Sequence, residues 1–191
     1  MGAVIPSFGD YFYYFMMDVT GFSKFTYAML GVLGSATLLF GTFVYNFYLT
    51  DKSLRFMMVI ACFINFVGAV NSLLFVKEIY FGLSPLVFVI LSSTVADTLY
   101  TAFVTMPGMI VFAKLIPPNI ESSMFSMLMG LLNFCNIFVS KMLGNFINMF
   151  FGVTEDNLED LWQLYITQIF LCLVPIFFIC LLPTRLQVAN V

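Results

Sequence analysis

Two residues of this chain carry charge deep inside apolar sequence. Asp97 lies 11 residues beyond Leu86 in one apolar run, and Lys141 lies 10 residues before Phe151 in another. At about 1.5 Å per helical residue they sit roughly 16 and 15 Å from those ends, near the middle of a hydrocarbon core about 30 Å thick. An isolated charge there costs about 2.5–3.5 kcal/mol even on the mildest scale. Equal depth, opposite sign and antiparallel neighbouring helices predict that the two meet. The other reading is that each faces a water-filled cavity separately. The chemistry in view is ion exchange. A buried pair opens when an anionic substrate takes the lysine or a proton takes the aspartate. Asp10, in an aromatic run with Tyr11, Tyr13 and Tyr14, is a third charge of this kind.

Other chemistries find no footing. The chain has no His, and Cys62, Cys135, Cys172 and Cys180 lie in apolar runs with no CxxC pair, so they read as packing residues rather than metal ligands or a disulfide framework. No His pair, no paired acids on one face and no GxSxG motif are found, so no enzyme and no cofactor are expected. The formal net charge is −3 without a basic run, which leaves nucleic-acid binding without electrostatic support. Met1-Gly2 is followed by Pro6, not Ser or Thr, which argues against myristoylation, and no basic region marks a cleavable signal peptide.

The elements that must hold these charges are membrane helices. Of 191 residues, 62% are hydrophobic and 9% charged, with a mean hydropathy of +1.04. A soluble domain is about 25% charged, so this composition specifies an all-α, multi-pass integral membrane protein in a lipid bilayer. Six spans are predicted, over residues 5–19, 25–49, 56–76, 86–113, 122–151 and 161–182. The first is short, as a helix without its first turns. Charged or turn-forming segments separate them: Asp18–Lys24, Asp51–Arg55, Lys77–Pro85, and an acidic loop with Glu155, Asp156, Glu159 and Asp160. Pro183 and Arg185 close the sixth. Lys52, Arg55, Lys114 and Arg185 fall on one side against Lys24 and Lys77 on the other, which places the first group in the cytoplasm.

At 100° per residue, polar side chains form stripes. The second span aligns Gly31, Gly34, Ser35, Gly41, Thr42 and Tyr45; the fourth, Ser93, Asp97, Thr101, Thr105 and Gly108; the fifth, Ser126, Gly130, Asn133, Ser140, Lys141, Gly144 and Asn148. Small residues permit close helix approach, and that reading suits the second span and the Ala61, Asn65, Gly68, Ser72 face of the third. The fifth stripe is more polar than packing requires. Asp97, Lys141, Asn133, Thr101, Tyr14 and Asp10 are therefore candidates for a substrate or coupling-ion pathway. The sixth span, with only Gln168 and Pro175, is expected to face lipid.

The segment Met106–Ser122 adds a candidate gate. Pro107 has no N–H, so the Phe103 carbonyl loses its helical partner; Thr105 is the nearest hydroxyl that could satisfy it. The kink is either a gating element or merely structural. Lys114 falls at a helix end where a cation complements the dipole, and Glu121 opens the next helix where an anion does. With Asp51, Lys52 and Arg55 they form either an ionic gate or a set of solvated loop charges.

Met106, Pro107, Ala113, Lys114, Leu115, Pro117, Glu121, Phe125 and Leu128 together resemble the folate-biopterin transporter family of the major facilitator superfamily. Two more stretches are similar to that family: Pro6-Ser7 with Tyr11–Phe15 and Gly21-Phe22-Ser23, and Val44–Leu49. Ile116 stands where the family usually has Cys, and Asn119-Ile120 where it has Gly. The resemblance covers nearly the whole chain but only the second half of a family member. It implies a six-helix half of a major facilitator fold whose first, second, fourth and fifth helices line the cavity. It further implies alternating-access transport of a folate- or biopterin-type pteridine beside an N-terminal six-helix half. The alternative is a non-transporting, truncated membrane protein that packs on a full transporter and modulates it. Tyr11, Tyr13 and Tyr14 are then candidates for stacking on the substrate, or else part of an interfacial aromatic belt.

Overall fold

Serines set three of the helix starts. The Ser23, Ser53 and Ser84 hydroxyls accept from the backbone N–H groups of Thr26, Phe56 and Val87 at 3.1, 3.3 and 3.4 Å, and Pro85 follows in the first turn of its helix. The computed structural model describes residues 5–50, 52–117, 119–155 and 157–179, without the side chains of residues 92, 93, 114 and 115. Asp51, Asp156, Cys180, Pro183, Arg185 and the side chains of Ser93 and Lys114, invoked above, lie outside the described residues.

Six helices follow in order among the described residues. α1 comprises Gly9–Tyr14 and a π-helical turn, Phe15–Val19. α2 is Lys24–Val44, extended by a π turn at Tyr45–Leu49. α3 is an unbroken α-helix, Leu54–Val76. α4 runs through Pro85–Val89, a π turn at Ile90–Thr94, and Val95–Leu115. α5 joins Glu121–Asn133 to Ser140–Phe151 through a π segment at Phe134–Val139. α6 is Leu161–Phe178. Among the described residues there is no strand. Five of these helices are long and apolar enough to cross a membrane; α1 is too short for that by itself. The chain is thus an all-α, polytopic membrane protein.

α3 is the centre of the bundle, packed between α4 and α6, while α2 packs on α4. Small residues set those distances. A Cβ on Gly41 would stand 3.1 Å from Ala102 Cβ, and one on Gly68 3.4 Å from Ala96 Cβ. The glycine faces of α2 and α3 therefore serve packing, as their sequence suggested. α6 corrects the expectation of a lipid-facing helix. Leu161, Leu164, Tyr165, Cys172 and Pro175 are buried, and Asn65 of α3 donates to Cys172 Sγ at 3.2 Å; Phe170 and Phe177 project from the other face. Gln168 and Pro175 were too weak a signal for the face that α6 gives to α3.

One end of the bundle closes over Phe75, which is fully buried. Phe12, Phe15, Tyr80 and Phe88 surround it at centroid distances of 5.4–6.4 Å. Just outside that cluster the Lys77 ammonium lies 3.8 Å from the centroid of the Trp162 ring, tying the end of α3 to the start of α6.

Candidate functional site

The start of α1 meets the middle of α5 backbone to backbone. Ser7 N–H donates to the Ser140 carbonyl at 3.1 Å, and the Ser140 hydroxyl donates to the Ile5 carbonyl at 2.6 Å. Gly144 makes this possible. A Cβ there would overlap the Ser7 carbonyl oxygen and lie 3.2 Å from its carbon. One turn along α1, Asp10 reaches Lys141. The ammonium donates to both carboxylate oxygens, at 3.0 and 2.9 Å.

This corrects the expected Asp97–Lys141 contact: Lys141 pairs with Asp10. Lys141 does meet an acidic partner, but α1 supplies a nearer anion. The pair is open, with 51% of the Lys141 side chain and 68% of Asp10 accessible. Farther along the same seam Asn148 holds Tyr11. Its Nδ2 donates to the Tyr11 hydroxyl at 2.8 Å and to the Val153 carbonyl at 2.7 Å, and its Oδ1 accepts from Val153 N–H at 3.0 Å. Asn148 thus closes the end of α5, where Gly152 turns the chain at φ 67°. Tyr13 packs edge-on against Tyr14 and against Tyr27 of α2, with centroids 5.6 and 4.8 Å apart.

Asp97 occupies a second place. It lies within the bundle yet remains accessible, because it opens on a cavity of about 840 Å³ between α1, α3, α4, α5 and α6. Asn65, Ser72, Tyr100, Thr101 and Gln168 also line that cavity, and Gln168 Oε1 has no protein partner. Asp97 Oδ1 would stand 3.4 Å from a Cβ on Gly68, so glycine there makes room for the carboxylate. Of the candidate pathway residues, then, Asp97 and Thr101 share the cavity, and Lys141 and Asp10 share an ion pair outside it. Thr101 uses its hydroxyl on its own helix, donating to the Asp97 carbonyl at 2.8 Å. Tyr14 is partly exposed beside Asp10, with the Glu155 carboxylate near its hydroxyl. Asn133 is exposed and joins neither group.

The cavity contribution of α3 and α6 went unread. Asn65 and Ser72 lie on a face assigned to packing, and the one signal from α6 was Gln168, a polar residue alone in an apolar span. Among the gate candidates, Arg55 lies in the first turn of α3 and Glu121 starts α5 in an exposed position. Pro107 is buried within α4, and the Thr105 hydroxyl does not bond the Phe103 carbonyl.

The model of the BT1 family matches residues 1–191. A probable folate-biopterin transporter of Arabidopsis thaliana, number 4 of its series, is 25% identical over 94% of this chain and 36% of its own length. Folate transporter 1 of Plasmodium falciparum is 24% identical over 97% of this chain and 37% of its own. Probable folate-biopterin transporter 7 of A. thaliana is 33% identical over 81% and 35%. The chain therefore spans a little over a third of the length of these relatives. No solved structure matches it. The chain belongs to the BT1 family.

Proposed function

We propose that this BT1-family chain is the C-terminal half of a membrane transporter that moves a folate- or biopterin-type pteridine by alternating access. It would act as a six-helix half of a major facilitator fold, rocking against an N-terminal half around a midplane site. The observation that carries this reading is the placement of Asp10, Lys141 and Asp97. Lys141 and Asp97 are ionisable residues in the interior of membrane-length helices, where such groups mark ion and substrate paths, and Asp10 of α1 is paired with Lys141. The exposed sides of α2 and α5 suit the face turned to the other half, since these two helices are among the least enclosed. Pro107 serves as the bend in α4, and Arg55, Lys114 and Glu121 act as the gate on the cytoplasmic side.

The test is uptake of labelled folate and biopterin into proteoliposomes. The chain alone should give none; the chain assembled with the first half of a family member should give uptake, lost on Asp97→Asn. An assembled pair that stays inactive toward both ligands would rule the reading out.

A further inference from the structure

Lys141 is the only basic residue in the interior of a predicted span; Lys24, Arg55, Lys77 and Lys114 all stand at or beside helix ends. It is held by one carboxylate, and both partners are more than half exposed. An open ion pair at that depth is not a lipid-facing arrangement, because hydrocarbon would leave the outer side of each charge unsolvated. Nor is it a sealed structural pair, which would be enclosed and given further hydrogen bonds. Tyr13 and Tyr14 follow Asp10 at i+3 and i+4, on the same side of α1 and one turn, about 5.4 Å, along the axis. A lysine with a replaceable counter-ion thus stands a helical turn from an aromatic surface. Among the described residues Asp10 is its ion-pair partner, and Glu155 lies near Tyr14.

We propose that the Lys141 ammonium binds a carboxylate of the substrate and that Asp10 is the resident counter-ion which that carboxylate replaces. The inference rests on the transport reading and deepens it. It assigns to one residue the discrimination between pteridines that carry a carboxylate, such as folate, and those that do not, such as biopterin. In the empty state Asp10 keeps the ammonium paired. When a carboxylate arrives, one anion is exchanged for another at the same cation, and Asp10 turns to the aqueous side from which it is already accessible. A ring attached to that carboxylate by a short linker then reaches Tyr13 and Tyr14.

The experiment is equilibrium dialysis of labelled folate, p-aminobenzoylglutamate and biopterin against the purified chain in lipid nanodiscs. Lys141→Met should weaken folate and p-aminobenzoylglutamate about tenfold or more, the loss expected of a hydrogen-bonded charge pair, and leave biopterin unchanged. Lys141→Arg should keep the discrimination. Asp10→Asn should act in the opposite direction, tightening both carboxylates by removing their competitor. A purely structural ion pair predicts instead that Lys141→Met and Asp10→Asn change all ligands alike, and that result overturns the proposal. If Lys141→Met fails to fold, the direction of the Asp10→Asn effect decides. Biopterin binding without carboxylate dependence overturns this inference and leaves the pteridine reading standing. Binding of p-aminobenzoylglutamate without biopterin does the reverse. Binding of none of the three overturns both.

Discussion

At the scale of single residues, Gly144 is the position where the fold leaves least room. Its missing side chain lets the Ser7 carbonyl rest on α5 and so brings Asp10 to Lys141. Gly144→Ala must push a methyl group into the Ser7 backbone, an overpacking that costs about 1–3 kcal/mol. Its thermal midpoint in detergent should fall clearly, whereas Gly108→Ala, at a glycine with nothing within 4 Å, should move it little. Equal midpoints for the two variants would refute the seam. The sequence announced Gly144 only as one small residue in a stripe. It announced Lys141 as a charge needing a partner, and the choice of Asp97 over Asp10 failed for a physical reason. Depth along a helix is readable from counting, but which helix stands nearest is decided by packing, here by a glycine, one backbone hydrogen bond and one from the Ser140 hydroxyl.

At the scale of helices, the π segments explain why one stripe broke. The α5 stripe was drawn at a constant 100° per residue. The π segment Phe134–Val139 bonds one residue farther along and shifts the face by about one residue. Ser126, Gly130 and Asn133 before it are exposed, while Ser140 and Gly144 after it are buried against α1. Among the described residues, such turns occur in α1, α2, α4 and α5 and not in α3 or α6. Deleting Phe138 should restore regular α-helix and leave Lys141 facing α1, because the π segment already absorbs one extra residue. In a chain freed of native cysteines, Asp10→Cys and Lys141→Cys should then keep the crosslink that a short bifunctional thiol reagent forms in the undeleted chain; a lost crosslink would refute this account of the π segment. Pro107 belongs to this scale too. Pro107→Ala restores the main-chain donor to Phe103, so α4 should straighten and the distance between spin labels at Leu91 and Ile110 should lengthen. Transport that survives this straightening would leave Pro107 a structural bend. Helix starts were legible because serine caps and prolines are local signals. π turns have no comparable signature in residue type.

At the scale of the whole molecule, the outward surface is itself a statement about solvent. Phe25, Leu39, Phe47, Phe63, Met149 and Phe177 are each at least 66% exposed and are spread over α2, α3, α5 and α6. No aqueous surface carries such residues in that density, and the all-α membrane class was accordingly the most legible property of the sequence. The expected outcome is a chain that stays in the pellet under alkaline carbonate extraction and leaves it only with detergent; release by carbonate would contradict the fold class. The cavity around Asp97 was less legible, because it is built where five helices meet and the polar residues that α3 and α6 bring to it look like packing when read alone.

Trp162 is the one tryptophan of the chain, and Lys77 stands over its ring. The ultraviolet fluorescence of the protein is therefore the signal of a single indole in the field of a single cation. Replacing Lys77 with Met should shift the emission maximum without any attached dye. The same band gives a direct optical readout of whether the ends of α3 and α6 part when a ligand binds.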